Sequence, residues 1–192
     1  IGCYFTPEAG KITPMTLSII PASKRERPIL RRLMELYLYD FTEFDHADIG
    51  PLGLYNYFYL DQYFTDPNRH PFLLRVNDHW AGFVLVTRHN YLTLEFDTWV
   101  IGEFFIMRKY RHQGIGEAVA RQMFDRFPGP WQVGQIQANT PAIAFWRKVV
   151  ARYTGGQYLE YLLNDNRWYG PVQTFYSPPG SGPIQEDTWL SH

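Results

Sequence analysis

A short cationic segment with two glycines is the part of this sequence best suited to bind an anion. Residues 108–116 read RKYRHQGIG, with an apolar run (Trp99–Met107) before them and a helical pattern after them. A helix N-terminus leaves backbone N–H groups unpaired and carries a partial positive charge, and glycine lets an anion approach the backbone. The segment is therefore typical of a phosphate or pyrophosphate site.

Two common phosphate motifs are excluded at this segment. The Gly-Lys-Ser/Thr sequence of a nucleoside triphosphate P-loop is missing. Gly114 and Gly116 are not followed by a third glycine at the spacing of a dinucleotide fingerprint. Taken alone, the segment also fits a strand–turn–helix whose glycines bind nothing.

The sequence contains little that would indicate a metal site or a serine hydrolase. There is no His-Glu-x-x-His motif and no cysteine cluster, so we predict no metal site. The single cysteine, Cys3, cannot form an internal disulfide. Gly180-Ser181-Gly182 lies in a Pro-rich tail rather than at a strand-to-helix elbow, which disfavours a serine hydrolase.

Composition narrows the class of protein. The chain has 192 residues, of which 45% are hydrophobic and 19% charged, as in a globular domain. A net charge of −1 predicts no bulk attraction to nucleic acid. No apolar stretch approaches the roughly 20 residues that span a bilayer, and no signal peptide opens the chain, so we expect a soluble cytoplasmic protein. Met15 is a candidate natural start.

The chain then divides into elements that would position the glycine segment. Apolar spacings of three and four predict an amphipathic helix at 27–41, and residues 55–64 fit a second short helix or an irregular aromatic segment. The order of elements predicts a mixed sheet with helices, in the α/β (α+β) class. The further predictions are strands at 72–78 and 80–89 joined by an Asn77-Asp78 hairpin turn, a strand at 99–107, helices at 117–127 and 139–154, a strand at 131–138, and a final antiparallel pair at 157–165 and 168–177.

Two motifs in this order resemble the GNAT superfamily of acyl-CoA-dependent N-acetyltransferases. The first is Arg/Gln-x-x-Gly-x-Gly/Ala, found here at residues 111–116. The second is Asn-x-x-Ala followed by an aromatic pair, found at residues 139–142 and at Phe145-Trp146. The joint match covers roughly residues 72–160. The resemblance implies a mixed, mostly antiparallel sheet with a central splayed strand pair and flanking helices.

The same resemblance implies how the chain is organised and what it binds. It implies one domain over residues 1–192, with a helical acceptor-side part (1–71), an acyl-CoA-binding core (72–160) and final strands with a tail (161–192). Acetyl-CoA is the implied cosubstrate. The strand before the turn would pair with its pantetheine arm, the turn would hold its pyrophosphate, and the second motif would flank its thiol. The implied binding residues are Phe105, Ile106, Met107, Arg111, His112, Gln113, Gly114, Ile115, Gly116, Asn139, Phe145 and Trp146.

Proton transfer would need further residues. Glu103 is the only acid in the strand before the turn and lies three residues before Ile106, where amine-acetylating relatives often carry an acid. It is our candidate base, which would take the proton directly or through water, or only bind the ammonium. An ion pair with an arginine and an outward-facing position are the structural alternatives. Many relatives place tyrosine where this chain has Trp146, and an indole does not readily give up its proton. Tyr153, seven residues further on, is the candidate proton donor, with water or the acceptor's own proton as alternatives.

The sequence therefore predicts transfer of an acetyl group to a primary amine by direct attack in a ternary complex. One alternative is a catalytically inactive CoA-binding or sensory module, and another is a phosphate-binding structural domain. The acceptor would be a small-molecule or peptide amine, not nucleic acid or a membrane. An acidic stretch that includes Asp40 and Glu43 suits an ammonium ligand or is a solvated loop. The sequence is also compatible with a homodimer.

Overall fold

The splayed strand pair expected from the resemblance lies at the centre of a seven-stranded sheet. The computed structural model describes residues 15–55 and 57–179, so Cys3 and Gly180-Ser181-Gly182 lie outside the described residues. Its elements are β1 (Leu17–Pro21), α1 (Arg27–Asp45), a 3-10 helix (Leu60–Phe64), β2 (Arg69–Val76), β3 (His79–Arg88), β4 (Trp99–Ile106), a second 3-10 helix (Arg108–Tyr110), α2 (Ile115–Arg126), β5 (Gly129–Gly134), α3 (Thr140–Thr154), β6 (Leu159–Asp165) and β7 (Trp168–Ser177).

The strand order is β1-β2-β3-β4-β5-β7-β6, and every neighbouring pair is antiparallel except β4 and β5. The parallel pair meets only where Trp99 lies opposite Trp131 and Val100 opposite Gln132. Beyond Val100 the two strands separate, which leaves one edge of β4 without a strand partner. The predicted fold, a mostly antiparallel mixed sheet with a splayed central pair and flanking helices, is confirmed.

Local sequence signals account for several of these elements. Asn77 and Asp78 adopt left-handed backbone angles (φ 48° and 62°), as a two-residue hairpin turn requires, and they connect β2 to β3. Gly155 ends α3 in the left-handed conformation (φ 62°). β5 occupies 129–134 instead of the predicted 131–138, since the chain leaves the strand after Gly134.

The N-terminal part is not purely helical, which corrects the expectation for residues 1–71. β1 pairs antiparallel with β2, from Leu17 opposite Val76 to Pro21 opposite Phe72. A five-residue edge strand is too short to show a clear period, so its partner strand decides its conformation. The predicted helix is present as α1 but extends to Asp45.

The sheet buries both of its faces. One face packs on α2 and α3, with Ile101 and Ile106 among its buried residues, and the other packs on α1, with Leu85 and Phe105. Gly102 has no partner in the β3–β4 register, because Leu85 pairs with Glu103 while Val86 pairs with Ile101. This bulge turns Glu103 toward α1. No helix among the described residues is long and apolar enough to cross a membrane.

Candidate functional site

A cavity of about 660 Å³ lies beside the open edge of β4. Four regions line it: the C-terminal half of α1, the end of β4 with the turn that follows it, the first turn of α2, and α3 with its N-cap residue. Its lining includes Tyr37, Asp40, Phe41, Glu43, Phe44, Phe104, Phe105, Ile106, Arg111, His112, Gly114, Gly116, Glu117, Asn139, Phe145, Trp146, Lys148 and Arg152. Residues far apart in sequence therefore meet where β4 and β5 separate.

The glycine turn presents the start of α2 to this cavity. Gly114 is the N-cap residue in a left-handed conformation (φ 78°), and no side chain of the described residues caps the helix. The N–H groups of the first turn are therefore available to a ligand. At Gly116, an added Cβ would lie 3.1 Å from the Phe145 ring, so a larger residue there would require a small shift of that ring. Uncapped N–H groups with a positive helix end suit a bound phosphate group.

Three other predicted residues of this region lie outside the cavity lining. Ile115 is buried in the core at the first position of α2. The side chain of Gln113 donates a 2.7 Å hydrogen bond to the carbonyl oxygen of Lys109, which holds the turn in shape. Met107 uses its N–H for a 2.8 Å bond to the carbonyl oxygen of Ala81.

The hydrogen bond from the Met107 N–H shows which backbone groups of β4 point to its open edge. Successive N–H groups of a strand point to opposite edges. Because the Met107 N–H points to β3, the Ile106 N–H points to the edge that β5 has left. The Ile106 carbonyl oxygen is already bound by Arg111 Nε at 2.7 Å. Of the three residues expected to pair with the pantetheine arm, Ile106 thus directs its N–H to the open edge, whereas Met107 directs its N–H to β3.

Arg111 also joins the glycine turn to α1. Its Nη2 donates to Asp40 Oδ2, and Arg108 Nε donates to Asp40 Oδ1 at 2.9 Å. Burial alone would raise the pKa of Asp40, but the hydrogen bonds from Arg111 and Arg108 outweigh it and hold the pKa below its usual value. Asp40 is therefore a neutralised carboxylate, and Glu43 is the acid of α1 that lines the cavity without an ion pair among the described residues.

The second predicted motif forms the α3 side of the cavity. Asn139 caps α3 by accepting a 3.0 Å hydrogen bond from the Ala142 N–H. Phe145 and Trp146 line the cavity, and the Trp146 ring packs edge-on against Phe104 at 5.0 Å between centroids. The motif therefore shapes the wall with an aromatic cluster.

Tyr153 is not in the cavity, which corrects its proposed role as proton donor. Its hydroxyl bonds to Asp125 Oδ1 and to Ser177 Oγ, both at 2.7 Å, and its ring packs against Phe124. Burial raises its pKa to about 12. A spacing of seven residues keeps Tyr153 on the face of Trp146 but moves it about 10 Å along the helix, away from the cavity.

Glu103 is partly buried against α1 and receives a hydrogen bond from the Tyr37 hydroxyl at 2.6 Å. Burial raises its pKa, while hydrogen bonds from Tyr37 and Tyr57 act in the opposite direction. No cation forms an ion pair with it among residues 15–55 and 57–179. The ion-pair alternative from the sequence analysis is therefore not observed.

Tyr37, the partner of Glu103, is a functional residue that the sequence motifs did not reveal. It lies in the apolar stripe of the predicted helix, and nothing in that pattern points to Glu103. Its ring does pack on Phe83 and Phe105, with centroids 5.7 and 5.8 Å apart. The Tyr37 hydroxyl itself was the available signal. A hydroxyl group on the buried face of a helix needs a hydrogen-bond partner, which indicates a polar group opposite it.

Gly102 controls the position of Glu103, which gives a first prediction. A Cβ at Gly102 would lie 2.6 Å from the Tyr63 hydroxyl, so we expect Gly102→Ala to cost about 1–3 kcal/mol of folding free energy by overpacking. Thermal unfolding measures this. The double variant Gly102→Ala/Tyr63→Phe lacks the hydroxyl that the methyl group meets and should recover most of the loss. No recovery would show that the bulge itself, not this contact, requires glycine.

The family comparison and the solved structures both indicate an acetyltransferase fold. The model of the acetyltransferase (GNAT) family matches residues 30–150. Curated proteins gave no match. Among solved structures, an acetyltransferase from Thermus thermophilus superposes with a TM-score of 0.61 at 15% identity, over 84% of this chain and 97% of that one.

Two further structures share the fold. The ribosomal-protein-S18-alanine N-acetyltransferase from Escherichia coli has a TM-score of 0.55 at 12% identity, over 88% of this chain and 99% of that one. The spermidine N-acetyltransferase from Vibrio cholerae, solved in complex with CoA and spermine, has a TM-score of 0.53 at 13% identity, over 84% and 95% of the two chains.

Proposed function

The chain belongs to the GNAT acetyltransferase family, and from this premise we propose that it transfers an acetyl group from acetyl-CoA to a primary amine. The proposal rests on one cavity with two features. The uncapped N-terminus of α2 opens into it, and Tyr37, which is hydrogen-bonded to the partly buried Glu103, forms part of its wall. The first feature suits the donor's phosphates, and the second suits loss of a proton from an amine.

The residues of the cavity fit coenzyme A. The N–H groups after Gly114 would hold the pyrophosphate, and four side chains with basic groups lie around them: Arg111, His112, Lys148 and Arg152. Arg152 is paired with Glu117 at 2.8 Å and Arg111 with Asp40, whereas Lys148 and His112 have no ion pair among the described residues. When bound, acetyl-CoA supplies the thioester that the amine attacks.

We assign the catalytic steps to two groups of this chain. Glu103 accepts the proton that the amine loses as it attacks the thioester directly, within a ternary complex. The Ile106 N–H, which points to the open edge of β4, would bind the carbonyl oxygen as it becomes negative. With Tyr153 bound elsewhere, the leaving thiolate takes its proton from water or from the acceptor.

The alternative is a CoA-binding or sensory module without catalysis. It is favoured by Trp146 at the position of the usual tyrosine and by Tyr153 lying outside the cavity. Glu103 favours an enzyme, because an unpaired carboxylate with a raised pKa beside a cavity is typical of an active site. Thioester cleavage separates the two functions.

A calorimetric titration with acetyl-CoA and with CoA, followed by a thiol-release assay, tests the proposal. We expect micromolar binding of both ligands and saturable thiol release with at least one amine of a panel. The panel contains spermidine, a peptide that begins with alanine, an aminoglycoside and an aromatic monoamine. Binding without release would support the sensory module, and no binding at millimolar ligand would refute both functions.

A further inference from the structure

Tyr37 lines the cavity and is hydrogen-bonded to Glu103. The cavity lining contains Tyr37 together with Phe41 and Phe105, but it does not contain Glu103. The Tyr37 hydroxyl donates to Glu103 Oε2 at 2.6 Å. Tyr37 therefore connects the cavity to the carboxylate through one hydrogen bond.

Within residues 15–55 and 57–179, the other groups recorded around Glu103 include no competing base and no cation paired with it. Tyr57 and Tyr63, from the segment around the first 3-10 helix, and Tyr91, from the loop before β4, all interact electrostatically with Glu103. Arg69 contacts the ring of Tyr63, 5.2 Å from its centroid, rather than the carboxylate. Glu103 thus lies among neutral hydroxyl groups, and of these tyrosines only Tyr37 lines the cavity.

We propose that Tyr37 is a proton-transfer residue of the acetyl transfer and relays the amine's proton to Glu103. This inference rests on the proposed function. As the C–N bond forms, an N–H bond of the amine breaks and its proton moves to Tyr37 Oη, while the original Tyr37 proton moves to Glu103 Oε2. The C–S bond breaks, and the thiolate leaves and takes a proton from water. Glu103 returns its proton to solvent by the reverse route.

The two proton movements must be concerted. Burial and the neighbouring Glu103 raise the pKa of Tyr37 well above its ordinary value, so a free tyrosinate is not populated at neutral pH. A phenol that gives one proton while it accepts another is neutral before and after the step. An oxygen–oxygen distance of 2.6 Å is at the short end of the range for O–H···O hydrogen bonds, as expected for a charge-assisted bond.

Tyr37→Phe removes the hydroxyl and keeps the ring, and Tyr39→Phe makes the same change at an exposed position on the same helix. We expect Tyr37→Phe to lower kcat about a hundredfold and Tyr39→Phe to change it less than about twofold, with equal CoA affinity in both. The double variant Tyr37→Phe/Glu103→Gln should be no slower than Glu103→Gln alone, because both groups serve one transfer. Equal rates for the two phenylalanine variants, or additive losses in the double variant, would overturn the relay.

A second measurement needs neither donor nor acceptor. Infrared titration of the Glu103 carboxyl band, assigned by its loss in Glu103→Gln, reports the Glu103 pKa directly. Tyr37→Phe should raise that pKa, because it removes a hydrogen bond that lowers it, and Tyr39→Phe should not. An unchanged pKa would contradict the contact on which the relay depends.

A third test uses the wild-type protein and therefore does not depend on whether a variant folds. The rate of single-turnover reactions is measured in mixtures of H2O and D2O. If two protons move in the same step, the plot of rate against the deuterium fraction of the solvent is quadratic. A linear dependence would overturn the relay and leave the proposed function intact. Absence of any acetyl transfer by the wild-type protein would overturn the proposed function and the relay together.

Discussion

Aspartate in place of Gly114 is expected to weaken coenzyme A binding about a hundredfold, whereas asparagine at the same position should retain most of it. An added Cβ meets nothing within 4 Å, so neither substitution clashes at that atom. Asparagine and aspartate tolerate the left-handed backbone (φ 78°) better than most other non-glycine residues. The two variants differ in one negative charge beside the proposed pyrophosphate site, and a hundredfold loss corresponds to about 2.7 kcal/mol.

Calorimetry at low and high salt measures this pair. The difference between aspartate and asparagine should shrink as salt increases, because salt screens the repulsion between exposed charges. Circular dichroism serves as the folding control. If the two variants bind coenzyme A equally, the start of α2 does not hold the pyrophosphate, and Gly114 only shapes the turn.

Local signals in the sequence were sufficient to predict two elements on the proposed donor side of the cavity. The turn before α2 and the capped start of α3 are each specified by a few adjacent residues, such as Gly114 and Asn139. Glycine supplies a left-handed N-cap, and asparagine accepts the N–H of Ala142. Elements of this kind can be predicted because the residues that stabilise them are neighbours in the chain.

The proposed acceptor side of the cavity depends on contacts that sequence spacing does not reveal. An uninterrupted β4 would place Glu103 on the same face as Ile101, and only the bulge at Gly102 turns it toward α1. The Tyr37–Glu103 bond then joins residues 66 positions apart. Helical spacing was likewise misleading for Tyr153, because it gives the face of a residue but not its distance from the cavity.

Glu103→Gln is expected to lower kcat about a hundredfold or more and to raise the stability of the fold. Glutamine keeps the shape and can still accept the hydrogen bond from Tyr37, but it cannot take a proton. With both substrates saturating, wild-type kcat should fall on acidification with a midpoint above 4.5, the ordinary pKa of a glutamate, because burial raises the pKa of Glu103. The variant should lack this limb of the profile.

The stability effect follows from the same pKa. Because the pKa of Glu103 is higher in the folded state, the carboxylate destabilises the fold above that pKa, and this penalty disappears as the pH falls toward 4.5. We expect Glu103→Gln to gain on the order of 1 kcal/mol at about pH 8, or about 2–4 °C in Tm, and nothing below the unfolded pKa. Glu95→Gln, at an exposed position, is the matched control and should change neither.

The two effects together separate catalysis from structure at Glu103. A carboxylate that stabilises the fold would lose stability when it is replaced, and activity would fall with it. A carboxylate buried without a cation costs stability, so its replacement should make the protein slower and more stable. Thermal unfolding and kcat of Glu103→Gln and Glu95→Gln distinguish these two cases. A less stable Glu103→Gln protein with an unchanged pH profile would remove Glu103 from the mechanism.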